Sequence, residues 1–253
     1  MAQNKIMLRK VNFCLNQNLQ NQELVNPKSI CHMADDIRNQ HSLNNFLISI
    51  SLICKKNEMK STANNPEAIV NEIFSLYEKY GDEDYIGEPV SQLEHMSQAA
   101  ALAEEEGYDD EVILAAFFHD IGHLCADAAV AGSMDGMGNI DHEKLGADYL
   151  LERGFSKRLA SLVRGHVIAK RYLTYKYPEY YNKLSPASKT TLEFQGGVMS
   201  SDEATAFELN PDAELIIRLR YWDDMAKQVD IPVNNLAYLK LLALEHLRGE
   251  IRG

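Results

Sequence analysis

The sequence predicts an all-α helical bundle. Three observations carry that prediction. Apolar residues recur at helical spacing through most of residues 61–253, residues suited to capping and stopping helices punctuate them, and no run there alternates like a strand. Taken in order, Pro66-Glu-Ala-Ile-Val-Asn-Glu-Ile-Phe-Ser-Leu-Tyr77 reads as a helix stopped by Gly81. Pro89 suits the first turn of a second helix, which runs to about Glu106 and closes at Gly107. Asp109 or Asp110 caps the next, from Glu111 to about Leu124. Residues 126–139 are rich in Gly, Ala, Asp and Met and read as a loop, with Gly132–Gly138 as a mobile lid. Asp141 caps a helix that ends before Gly154, and Ser156 caps one that runs to about Tyr175. Ser185-Pro186 opens a short helix ending at Gly196-Gly197, Asn210-Pro211 a long one through about Gln228, and a last helix covers 235–248.

The first 60 residues differ in kind. They hold ten Asn and five Gln and carry a charge of +4, whereas the other 193 carry −16. This part reads as a polar, poorly ordered extension (1–60) ahead of a helical catalytic domain (61–253).

The net charge of −12 disfavours nonspecific binding to nucleic acid or to an anionic membrane, because neither phosphate surface meets a cationic surplus. The longest apolar stretch near the start, Phe46–Cys54, is too short to span a bilayer. Four cysteines with no CxxC do not form a disulfide framework in a chain this long. The expected location is cytoplasmic.

Five of the eight histidines lie between residues 95 and 166: His95, His119, His123, His142 and His166. His119 is followed by Asp120 in an otherwise apolar helix, where an ionised carboxylate is costly without a strong partner. A metal ion is such a partner, since it takes both neutral imidazole and carboxylate. The spacing of 24 residues recurs between His95 and His119 and between His142 and His166, which suits neighbouring antiparallel helices converging on one interior. A further carboxylate is available from Asp223 or Asp224, in the segment that holds the only Trp.

His95…His119-Asp120…Asp223 resembles the H…HD…D pattern of the HD-domain metal-dependent superfamily. His142 and His166 add two ligands, as in its dinuclear subgroup. Tyr85-Ile-Gly-Glu88, Gln92-Leu-Glu-His95, Phe118–His123, His142–Leu150, Gly165–Leu173, Leu184–Gly197 and Arg220-Tyr-Trp-Asp223 together are similar to PhnZ-type phosphonate oxygenases, over about residues 65–250. The resemblance implies an HD-domain bundle with a dinuclear site in its core. It implies a mixed-valent Fe(II)/Fe(III) pair that uses O2 to cleave the carbon–phosphorus bond of 2-amino-1-hydroxyethylphosphonate, giving glycine and phosphate. A 2-oxoglutarate-dependent hydroxylase is the implied pathway partner.

Carried over residue by residue, His95, His119, Asp120, His142, His166 and Asp223 are the ligands, with Asp120 bridging. Tyr85 occupies the O2 position until substrate arrives, and Glu88 meets the substrate ammonium. His123, Lys170, Ser188, Thr191 and Arg220 form the phosphonate pocket. The loop after Asp120 is a residue longer than in these relatives. The competing readings are an HD phosphohydrolase acting on nucleotides or phosphate esters, an oxygenase for a trimethylammonio-substituted hydroxyphosphonate, and a module whose metal is only structural. Glu88 favours the free amine, because a quaternary ammonium has no hydrogen to donate and more often meets aromatic rings.

Overall fold

The computed structural model describes residues 65–125, Ile86 excepted, and 141–249. The polar extension and the loop over 126–139 lie outside the described residues. Eleven helices are described: α1 (Pro66–Tyr80), α2 (Gln92–Glu105), α3 (Asp110–Phe118), α4 (Gly122–Cys125), α5 (His142–Glu152), α6 (Lys157–Lys176), α7 (Pro178–Lys183), α8 (Pro186–Phe194), α9 (Ser201–Glu208), α10 (Ala213–Met225) and α11 (Leu236–Arg248). Among the described residues there is no strand, only an isolated bridge between Asp84 and Ser91. The all-α expectation stands. No described helix is long and apolar enough to cross a membrane.

The organising element is α3. Every residue from Val112 to Phe118 is buried, as befits a helix apolar on all sides. It packs against α2, α6, α10 and α11. Phe117 stacks on Phe74 and Tyr77 of α1, with ring centroids 5.7 and 4.6 Å apart. Trp222 of α10 is wholly buried and donates from Nε1 to Glu106 (3.1 Å), so that helix is packed as its Trp suggests.

Several boundaries differ from the sequence reading. Pro89 does not enter α2. Ser91 caps it instead, in a reciprocal capping box with Glu94 that satisfies two backbone donors at once. The helix expected from Glu111 to Leu124 breaks after Phe118. Gly122 then lies against α5 so closely that a β-carbon there would stand 1.9 Å from the His142 carbonyl oxygen. That contact needs glycine, and it sets His123 beside His142. Asp141 precedes α5 in a left-handed conformation without a side-chain cap bond. The long helix expected from 210 to 228 is shorter, and Ala226 ends it with its carbonyl turned to His95. Two short helices, α7 and α9, were not expected, although α9 carries a capping box at Ser200 and Glu203.

Candidate metal centre

Four helices and one turn deliver the predicted ligands to one interior point. His95 comes from the first turns of α2 and His119 and Asp120 from the break after α3. His142 opens α5, His166 lies inside α6, and Asp223 sits near the end of α10. All six are buried. They gather as two trios, His95–His119–Asp223 and Asp120–His142–His166, each with its ligand atoms within 4.8 Å of one another.

Asp120 spans the trios. Its Oδ2 lies 3.5 Å from His95 Nε2 and 3.3 Å from His119 Nε2. Its Oδ1 lies 3.2 Å from His142 Nε2 and 3.3 Å from His166 Nε2. One carboxylate thus offers one oxygen to each pair of rings.

Backbone carbonyls orient three of the rings. The Nδ1–H of His95 donates to Ala226 (2.8 Å), that of His119 to Ala116 (2.8 Å) and that of His166 to Val163 (2.7 Å). That tautomer leaves each Nε2 with a lone pair, the arrangement that outer partners impose on metal-binding histidines. Yet His95 and His119 bring their Nε2 atoms to 3.0 Å, as do His142 and His166. Lone pairs so close repel unless a cation lies among them. Asp223 points to the same conclusion. Its Oδ1 is buried without a hydrogen-bond partner, 3.6 Å from His95 Nε2, while Arg220 Nη1 donates to its Oδ2 at 2.6 Å. An unpaired buried carboxylate oxygen is costly. The donor set fits a metal pair, and imidazole with carboxylate suits iron.

With no cation among the rings, protons take its place and are held by Asp120. Burial alone would raise the Asp120 carboxyl, but the His119 charge and hydrogen bonds from His119, His142 and His166 hold it well below the usual range. Burial pushes His119 down, and Asp120 more than offsets this, holding the ring at about 9. Burial, then the neighbouring His142, push His123 down to about 3, so it is neutral at pH 7.

Beside the trios lies a cavity of about 50 Å³. Its walls include Tyr85, Glu88, His123, Lys170, Ser188, Thr191 and Arg220, so every substrate-pocket residue expected from the sequence reaches one cavity. Lys170 Nζ donates to Thr191 Oγ1 at 3.0 Å. Burial, then the Arg220 charge, hold its amine down to about 7. Ser188 and Thr191 lie on α8, capped by Ser185.

Arg220 is more committed than a free anion ligand. It donates to Asp223, to Asp224 and, from Nε at 3.0 Å, to the Tyr180 hydroxyl. Asp224 instead accepts from Arg220 and Tyr180, while Asp223 is the carboxylate grouped with His95 and His119.

Tyr85 and Glu88 project from a turn before α2, closed by Tyr85 N to Val90 O (2.9 Å) and Glu88 N to Tyr85 O (2.8 Å). Gly87 has φ +76, and a β-carbon on it would meet the Ala187 β-carbon at 2.9 Å, so this turn needs glycine to lie against α8. Tyr85 stacks on His95, centroids 3.9 Å apart and planes 14° from parallel. Burial, then the Asp120 and Asp223 charges, raise its phenol well above the usual value, so it keeps its proton.

The sequence reading missed Gln92, Gln195 and Lys227. Both glutamines line the cavity, and the Oε1 of each is buried without a partner. Gln92 stands three residues before His95, a spacing that could have raised it. Lys227 Nζ bonds Glu88 Oε1 at 2.9 Å across 139 residues, which no local pattern reveals.

The HD domain family matches residues 92–192. A [1-hydroxy-2-(trimethylamino)ethyl]phosphonate dioxygenase of Leisingera caerulea is 44% identical over 163 residues, 64% of this chain and 82% of the relative. A hydroxymethylphosphonate dioxygenase of Gimesia maris is 37% identical over 179 residues, 71% of this chain and 88% of the relative. The chain belongs to the PhnZ-type, HD-superfamily phosphonate dioxygenases. An uncharacterized protein of Acanthamoeba polyphaga mimivirus is also 44% identical over 209 residues, 80% of this chain and 95% of that one. As a phosphonate dioxygenase of the HD superfamily the chain is an O2-dependent oxidoreductase, and its buried His/Asp cluster is a metal site.

Proposed function

We propose that the protein cleaves the carbon–phosphorus bond of 2-amino-1-hydroxyethylphosphonate with O2, giving glycine and phosphate at a mixed-valent pair of irons. The balance closes: one O2 takes four electrons from the hydroxylated carbon, its two oxygens end in glycine and phosphate, and one proton is released. The observation that carries the reading is Asp120, with one carboxylate oxygen toward each pair of imidazoles.

His95, His119 and Asp223 would hold one iron, His142 and His166 the other, and Asp120 both. When bound, the pair supplies the O2 chemistry and polarises the substrate hydroxyl. The chain's other residues do the remaining work. Lys170 Nζ, the Ser188 and Thr191 hydroxyls and a neutral His123 N–H face the cavity and bind the phosphonate oxygens. Arg220 steadies Asp223 through Nη1 and adds positive charge to that wall. Tyr85 keeps its phenol proton and covers His95, which shields the centre until substrate displaces it. Glu88 and the unpaired Gln92 Oε1 accept hydrogen bonds from the substrate ammonium.

One feature favours this substrate over its trimethylated counterpart. Among the described wall residues Tyr85 is the only Phe, Tyr or Trp, which suits a primary ammonium rather than a trimethylated one. The reaction needs a supply of 1-hydroxylated phosphonate, and the family resemblance implies a 2-oxoglutarate-dependent hydroxylase as that upstream partner.

The test is O2 uptake by iron-reconstituted protein on adding 2-amino-1-hydroxyethylphosphonate. Equal amounts of O2 consumed, glycine and phosphate are expected. Phosphate release from nucleotides or esters without O2 would move the chain to the hydrolase reading.

A further inference from the structure

Glu88 is already occupied. Its Oε1 accepts from Lys227 Nζ at 2.9 Å, and the two side chains are only 10% and 14% exposed. The same ammonium lies 3.5 Å from Ser188 Oγ and 5.9 Å from the centre of the Tyr85 ring. Lys227 therefore already sits against three groups assigned to the substrate end of the cavity.

Its backbone is fixed on both sides. The Ala226 carbonyl accepts from His95 Nδ1, and Gln228 exchanges two hydrogen bonds with the Gln98 side chain (2.9 and 3.0 Å). Lys227 lines a second cavity, of about 610 Å³, whose walls include Glu179, Tyr180, Tyr221 and Asp224, while Glu88 lines the first. The Glu88–Lys227 pair thus links a wall residue of one cavity to a wall residue of the other. An ammonium that leaves Glu88 finds carboxylates in the second cavity.

We propose that Lys227 is the specificity-determining residue of the site, a resident cation that holds Glu88 until the ammonium of the substrate replaces it. The inference rests on the substrate class given above. The physical reason is charge. A buried carboxylate without a partner is costly, whereas exchanging one ammonium for another keeps it paired throughout. A hydroxyphosphonate with a cationic end drives the exchange. One without a cation leaves Lys227 in place and gains nothing from Glu88. Lys227 competes with the cationic ligand, so apparent affinity falls with the fraction of time Glu88 is free.

The experiment compares the iron-loaded protein with its Lys227→Met and Lys227→Gln variants, using two variants in case one fails to fold. Calorimetry without O2 reads binding of 2-amino-1-hydroxyethylphosphonate and hydroxymethylphosphonate, and KM is measured in air. Removing the competitor shifts the affinity ratio about tenfold toward the amine, in binding and in KM, with kcat moving less. Lys227→Arg, which restores a resident cation, returns the ratio to that of the unaltered protein. An unchanged ratio overturns the proposal. So does equal weakening of both ligands, which would make Lys227 a phosphonate ligand. If the unaltered protein binds and oxidises neither compound, the substrate class itself fails and the inference falls with it.

Discussion

The metal centre and the turn bearing Tyr85 and Glu88 meet at one cavity but are held there by different means. Most of the centre's ligands stand on helices, and three of its rings are locked by hydrogen bonds to carbonyls of their own or a neighbouring helix. The turn is held by two short backbone bonds, by Gly87 against α8, and by the pair between Glu88 and Lys227. A site built this way keeps its donor geometry whether or not substrate is present, while its substrate end can exchange partners. The predictions separate these two behaviours.

The largest effect belongs to the atom pair that joins the trios. Asp120→Asn replaces one carboxylate oxygen with an amide that donates toward imidazole lone pairs. Outer partners of metal ligands cost roughly 10–100-fold in metal affinity, and losing a bridging ligand exceeds that. Metal analysis of the purified variant is expected to find the pair lost and O2 uptake abolished. A variant that keeps both metals would show that Asp120 does not bridge.

Asp223 and Asp224 are neighbours with different partners, so they give a matched contrast. Asp223→Ala removes an oxygen aimed at His95, and metal content falls. Asp224→Ala removes the acceptor of Tyr180 and Arg220, which lowers stability by about 1–3 kcal/mol while metal stays bound. Metal loss in the second variant alone would reverse the assignment.

Lys170 sits between the two regions, and its effect is a matter of pH. Burial and Arg220 hold its amine at about 7. A phosphonate favours the charged amine. Binding is therefore strongest below about pH 7 and weakens as pH rises through the amine's pKa, by at most about tenfold per unit. Anaerobic titration across that range measures it. Lys170→Arg, whose guanidinium stays charged, flattens the profile. An equal slope in both proteins would remove Lys170 from the phosphonate site.

The centre was legible in the sequence because its chemistry is dense and local. His119-Asp120 in an apolar helix and the two spacings of 24 residues single out five candidate ligands, and the family resemblance supplies the choice of Asp223 over Asp224. Helices with strong end signals were legible for the same reason, as Asp109, Ser156 and Ser185 all cap where expected. The break after Phe118 was not. A run of good helix formers is interrupted there by Gly122 pressing on the His142 carbonyl, a contact between segments apart in sequence. Lys227 was hidden likewise. Its ladder of neighbours at residues 220 and 223 suggests a solvated helix face, and only the folded chain brings Glu88 to it.

The smallest effect lies at the Tyr85 hydroxyl. Tyr85→Phe keeps the ring that stacks on His95 and removes only the O–H that bonds Asp120. Burial keeps that phenol protonated, so no charge is lost with it. A hydrogen bond to an ionised carboxylate contributes at least about 1 kcal/mol, which corresponds to about a fivefold change or more. The ring still covers the centre, but it is held there less firmly. The expected outcome is O2 uptake without phosphonate that rises about fivefold or more, with metal content and phosphonate-dependent kcat nearly unchanged. Unaltered background uptake would mean that the stacked ring, and not its hydroxyl, guards the centre, and Tyr85→Ala would then carry the whole effect.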